Sequence, residues 1–201
     1  MIEDIKQNFA DFRRLLDRIE ATNHEGVPLL LENALLEAVQ RILVVSEAGG
    51  QLLFIGNGGS AAIAGHMATD FWKNAGVKAL AFNDSVLLTC LSNDLGFKHV
   101  FEKSIETFAG PRDILLAISS SGKSENILRG VRQALSQDLL VITFSGFKPD
   151  NPLRRLGHLN FYVPQEHYGH VECIHHLLCH ALLNVILNQN TKTIEKAALH
   201  E

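Results

Sequence analysis

Four short runs in this chain are apolar at nearly every position, and each ends abruptly in small polar residues. Leu52-Leu53-Phe54-Ile55 gives way to Gly56-Asn57-Gly58-Gly59-Ser60, and Ala79-Leu80-Ala81-Phe82 to Asn83-Asp84-Ser85. Ile114-Leu115-Leu116-Ala117-Ile118 gives way to Ser119-Ser120-Ser121-Gly122, and Leu139-Leu140-Val141-Ile142-Thr143-Phe144 to Ser145-Gly146. A strand with one wet face alternates apolar and polar residues, whereas a strand covered on both faces reads as these runs do. A fifth run, Leu159-Asn160-Phe161-Tyr162-Val163, stops at Pro164. Helical spacing fills the gaps, and a last helix is expected from about Tyr168 to Asn188. The alternation predicts a three-layer α/β/α sandwich around a five-stranded parallel sheet.

Two amphipathic helices are expected before that core. Ile2, Ile5, Phe9, Phe12, Leu15, Leu16 and Ile19 recur at helical spacing, and so do the apolar residues between Pro28 and Ala48, with Gly49-Gly50 as a stop. Their apolar stripes must be buried on the core or on a second subunit. The expected organisation is a helical extension over 1–50, a ligand-binding α/β domain over 51–190 and a tail over 191–201.

Composition narrows the classes of function. The 201 residues are 46% apolar and 20% charged, enough for a core and too few charges for bulk disorder. The net charge of -4 and the scatter of Lys and Arg argue against nucleic acid as a partner. The start of the chain is charged and lacks a signal-peptide core, and no stretch reads as spanning a bilayer. Three cysteines, Cys90, Cys173 and Cys179, sit in apolar surroundings, which reads as a reduced, cytoplasmic chain.

In open α/β sheets, ligands bind at the carboxyl ends of the strands. One polar strand end alone reads as ordinary turn chemistry; several together read as a site. Ser119-Ser120-Ser121-Gly122-Lys123-Ser124 follows a buried run and precedes a helix. Successive hydroxyls, a glycine and the free N–H groups of a helix start suit a phosphate. Ser124 could instead cap the helix, which leaves the other hydroxyls without a role. The Walker A spacing is absent. The Gly56–Ser60 loop repeats the logic with Gly58 and Ser60, but Ala61 breaks the dinucleotide fingerprint, so no nicotinamide cofactor is expected.

His66 and Asp70 share one helical face, and Glu172, His176 and His180 another. Two imidazoles and two carboxylates from facing helices could hold a divalent metal, with zinc the best match to that donor set, or could serve as acid and base. Spacing does not choose between His176 and His180. His175, adjacent to His176, must point elsewhere. The chain holds ten histidines, and one of them taken alone reads as a core residue with a hydrogen bond.

Taken in order, Gly56-Asn57-Gly58-Gly59-Ser60, Ser92-Asn93-Asp94-Leu95-Gly96-Phe97, the serine loop and Glu172-Cys173-Ile174-His175 through His180 resemble the sedoheptulose-7-phosphate isomerases of the SIS (sugar isomerase) family. The resemblance covers nearly the whole chain. It implies an aldose–ketose isomerase of heptose biosynthesis, as for lipopolysaccharide, working as a cytoplasmic homotetramer on a sugar phosphate. By the same resemblance Ser60, Ser119, Ser120, Ser121 and Ser124, with Gly58, hold the phosphate, and Asn57, Asp94 and Glu172 contact substrate. His66, Asp70, Glu172 and His180 take the metal positions, Zn2+ first, and Asp70 and His180 the catalytic ones. The family more often has Glu at the position of Asp70, Gln at Glu172, Arg at Asn74 and Asp at Gly169, departures that bear on the exact sugar. The alternatives are a non-enzymatic SIS protein (a replication-initiator-associating factor or a sugar-phosphate sensor) and an isomerase of another sugar phosphate. The acid at position 70 favours the enzyme over the initiator-associating factor, whose pattern lacks it.

Overall fold

The computed structural model describes residues 1–198. Helix α1 (Ile2–Leu16) leads into β1 (Glu20–Asn23) and β2 (Pro28–Leu29), then α2 (Leu31–Glu47). Strand and helix alternate from there: β3 (Leu52–Gly56), α3 (Gly59–Ala75), β4 (Ala79–Ala81), α4 (Ser85–Leu95), α5 (Val100–Phe108), β5 (Ile114–Ser119), α6 (Glu125–Ser136), β6 (Leu140–Gly146), β7 (Leu159–Val163) and α7 (Tyr168–Ala198). All seven strands form one sheet in the order β2-β1-β7-β6-β5-β3-β4.

The five expected strands, β3 to β7, pair in parallel throughout. Counted from β3 they lie in the order 2-1-3-4-5, the flavodoxin-like winding, whose direction of travel reverses between β3 and β5. Their side chains alternate between two cores. Phe54, Leu116, Phe144 and Phe161 meet Ile42 of α2, Met67 and Phe71 of α3, and Leu178 and Leu182 of α7. Leu53, Ile55, Leu115 and Val141 meet Phe101 and Ile105 of α5 and Ile127 and Val131 of α6. Both faces are dry, which is why the runs are unbroken.

The N-terminal segment differs from the helical pair expected of it. Between its helices, β1 adds to the sheet antiparallel to β7, with Ala21 opposite Phe161, and β2 pairs with β1. Pro28 therefore sits in the outermost strand, where a missing N–H breaks no ladder, and α2 starts at Leu31. Asn23 closes the hairpin by accepting from the N–H groups of Glu25 and Val27. Residues 1–50 thus share the sheet and its core: Leu15, Ala21, Ala34, Ala38 and Val39 are buried with the strands. On α1, Asn8 bonds His170 of α7 at 2.7 Å, while Ile2, Ile5 and Phe9 remain exposed.

Helix α7 runs further than expected, through Ala198, so the predicted tail is helical that far; residues 199–201 lie outside the described residues. Its segment Tyr168–Gln189 is, against expectation, long and apolar enough to cross a membrane by length and composition alone. Half of that window is buried inside the fold, with Val171, Ile174, Leu178, Leu182 and Ile186 in the core. This is how the central helix of a packed domain reads. The three cysteines are free.

Candidate functional site

The reversal in strand order sets the loops after β3 and β5 side by side, and a cleft of about 210 Å³ opens between them. Asn57, Gly58, Gly59 and Ser60 line it from the first loop, and Ser119, Ser120, Ser121 and Ser124 from the second. Both loops end in helix starts, those of α3 and α6, so two sets of unpaired N–H groups and two positive dipole ends face the same space. Among the described residues no Lys or Arg lines it, and Glu172 is the one charged residue there.

Backbone shape makes this approach workable. Gly58 has φ +54° and ψ -123°, a positive-φ conformation that favours glycine. Gly122 has φ +61°, and a Cβ there would meet Asn151 Oδ1 at 2.0 Å. Asn151 in turn donates to the carbonyl of Gly146 and accepts from the N–H of Arg154, which braces the serine loop against the end of β6. Asn57 and the buried Asn126 exchange two hydrogen bonds of 2.9 Å, which fix the Asn57 amide at the cleft. Asn57 and Gly58 also border an adjoining hollow of about 370 Å³ with Asn83, Leu88 and Phe97.

The hydroxyls are available to a ligand. Ser120 Oγ is buried and has no hydrogen-bond partner among the described residues. Ser124 holds the N-cap position of α6, yet its side chain makes no capping bond. Capping therefore does not explain this serine. A buried donor without a partner, beside two helix starts, matches the oxygens of a phosphate.

Helices α3 and α7 run in the same direction away from the cleft. Glu172, in the first turns of α7, lies against Gly59 at the start of α3. Further along, His66 meets His176 and His180, with ring centroids 5.0 Å and 5.5 Å away, and those two rings are 4.6 Å apart. One nitrogen from each of the three imidazoles lies within 4.8 Å of the others. Asp70 Oδ2 stands 3.3 Å from His66 Nε2. Burial pushes the His176 imidazole below its ordinary pKa, with repulsion from His180 and His66 adding to the effect. His175 points the other way, into the core. Its Nε2 bonds the Ser145 carbonyl at 3.0 Å, and burial takes its pKa down to about 4.

Residues 7–146 match the SIS domain family. The chain belongs to that family. Among relatives of this SIS domain, the phosphoheptose isomerase of Solidesulfovibrio magneticus is 36% identical over 72% of this chain and 76% of its own length. That of Methylibium petroleiphilum is 33% identical over 78% and 82%. The solved phosphoheptose isomerase of Neisseria gonorrhoeae superposes with a TM-score of 0.78 at 30% identity, covering 92% of this chain and 98% of its own.

Not every residue read from the sequence meets in one place. Asn57, Gly58, Ser60, the four serines of the second loop and Glu172 line the SIS cleft together. His66 and His180 stand together further along α3 and α7, with Asp70 beside His66 and His176 as a third imidazole. Glu172 lies one helical turn short of His176 and is outside the histidine group. Asp94 lines neither hollow: it is exposed in the last turn of α4, bonded to Asn93 and Cys90. Asn74 and Gly169 are exposed. Tyr168 and Gly59 line the cleft without having been singled out, and the Asn57–Asn126 pair joins residues 69 positions apart, a spacing with no sequence signal.

Proposed function

We propose that this SIS domain is a phosphoheptose isomerase, converting sedoheptulose 7-phosphate to D-glycero-D-manno-heptose 7-phosphate through an enediol. The observation that carries the reading is the unpartnered Ser120 hydroxyl between two helix starts, at one end of a helix pair that bears carboxylates and imidazoles. The names of the relatives and the superposition with a solved phosphoheptose isomerase support it.

The phosphate is taken by Ser60, Ser119, Ser120, Ser121 and Ser124 with the backbone N–H groups of the two loops. Neutral donors and helix dipoles do this work without a cation in the lining. With the phosphate fixed, the sugar extends from the loops along α3 and α7. Asn57 and Glu172 are positioned to bond its hydroxyls. Isomerisation needs a base that takes the C1 proton and returns it to C2, and a group that moves a proton between the two oxygens. Asp70 is assigned the carbon proton and His180 the oxygen proton. A divalent cation, zinc foremost, suits the imidazole–carboxylate donor set around His66, Asp70, Glu172 and His180, and would supply positive charge to the oxygen that becomes negative. Asp94, exposed on α4, serves only if a second copy of the chain brings the substrate to it. A homotetramer is in keeping with this and with the exposed Ile2, Ile5 and Phe9 of α1. The setting is the cytoplasm.

Turnover of sedoheptulose 7-phosphate after chelation, with and without zinc restored, tests the reading. Activity lost and recovered supports isomerase and metal together. Product formation unaffected by Asp70→Asn and His180→Ala would remove both residues from the mechanism. Binding without turnover under any metal would leave a sugar-phosphate sensor.

A further inference from the structure

His176 has no role in the site as assigned so far, yet it is the residue whose position most needs explaining. Its Nε2 is buried with no hydrogen-bond partner among the described residues. Its ring stands 5.0 Å from that of His66 and 4.6 Å from that of His180. His170 and His175 also leave one buried nitrogen unpaired, but each bonds through the other, His170 to Asn8 and His175 to the Ser145 carbonyl, whereas His176 makes no hydrogen bond among the described residues.

We infer that His176 is a metal ligand, and that this chain holds its divalent ion through three imidazoles, those of His66, His176 and His180. The inference rests on the reading above that the site takes a divalent cation. The three donor nitrogens already lie within 4.8 Å of one another, and the His66 side chain is half exposed. Three neutral imidazoles with an open position form a donor set suited to zinc, nickel or copper, and poorly suited to magnesium or calcium.

The assignment also frees Asp70, though not His180, from a double role as metal ligand and proton-transfer group. A carboxylate bound to a metal is a weak base, so Asp70 cannot serve well as ligand and base at once. With His176 as the third ligand, Asp70 is left 3.3 Å from His66 Nε2. There it orients that ring through one nitrogen while the other faces the ion, the arrangement common around metal-bound histidines. Glu172, outside the histidine group, stays with the substrate cleft.

The test uses the full chain stripped of metal. Zinc-loaded wild-type protein is examined by X-ray absorption, which counts imidazoles and does not depend on any variant folding. Wild type and His176→Ala are then titrated with Co2+, followed by its visible absorption, after circular dichroism has shown both folded. Three imidazoles, and an affinity at least tenfold weaker in His176→Ala with altered Co2+ bands, are the expected results. Two imidazoles, or a smaller loss of affinity, overturns the inference. No binding of Zn2+ or Co2+ by wild type overturns it as well. Calorimetric titration of the same apoprotein with sedoheptulose 7-phosphate then shows whether the sugar-phosphate reading stands without a metal.

Discussion

Glu172 reaches from α7 to the first turn of α3 so closely that a Cβ on Gly59 would stand 2.3 Å from its Oε2. The contact joins the helix that carries His176 and His180 to the loop that carries Ser60. It makes Gly59 a residue chosen for closeness, and it fixes where the one charge in the cleft lies.

Gly59→Ala should therefore separate stability from function. The obstructing atoms are the far end of a flexible side chain, which can swing aside, and Gly59 opens α3, where alanine keeps only part of the advantage over glycine of about 1 kcal/mol that it has in a helix interior. Thermal unfolding is expected to show a melting temperature unchanged or slightly raised. Displacing Glu172 should lower kcat/KM for the sugar phosphate by about tenfold, on the order of 1.4 kcal/mol. A variant with full activity would show that the position of Glu172 does not matter.

Glu172→Gln asks what the charge does. Among the described residues the cleft lining contains no Lys or Arg, so only the helix dipoles offset the repulsion between the carboxylate and a bound phosphate. Removing it should tighten binding of the sugar phosphate to metal-free protein by about fivefold at low salt, on the order of 1 kcal/mol. The gain should shrink as salt is raised. Weaker binding in calorimetry would mean that hydrogen bonds accepted by the carboxylate outweigh its repulsion.

Ser120→Ala removes a buried hydroxyl that has no partner among the described residues. No hydrogen bond within the described structure is lost, so stability to urea should be equal or slightly higher. A hydrogen bond to a charged phosphate is worth about 1.5–3 kcal/mol, and KM is expected to rise by roughly tenfold or more. Unchanged KM would detach the serine loop from the phosphate.

The parts of this architecture legible in the sequence are those where burial leaves a composition signature. Strands β3 and β5 are buried at every position, and that is visible as unbroken apolar runs. Strand β1 has only Ala21 and Thr22 buried and β2 is two residues long, too little for any period, so the sheet edge leaves no strand signal between the two helical patterns. The serine loop was legible because its hydroxyls outnumber the needs of a cap. The Asn57–Asn126 pair was not, because its partners come from different loops. Helical spacing placed Glu172, His176 and His180 on one stripe, but only packing against α3 divides it, with Glu172 at Gly59 and the two histidines at His66.

His175 predicts how the fold responds to acid. It lies fully buried, donates from Nε2 to the Ser145 carbonyl 3.0 Å away, and burial takes its pKa from 6.5 down to about 4. The unfolded chain then binds a proton more readily than the folded one between those values. Stability from this residue is fully present above about pH 6.5 and is lost as the pH falls toward 4, at up to about 1.4 kcal/mol per pH unit and roughly 3 kcal/mol in all. Urea denaturation at pH 7.5, 6, 5 and 4.5 should show that slope. His175→Gln keeps a donor for Ser145 and cannot be protonated, so it should be less stable at neutral pH but flatter below pH 6.5. A variant with the slope of the wild type would assign acid sensitivity to other groups, and would leave His175 as a neutral tie between α7 and the end of β6.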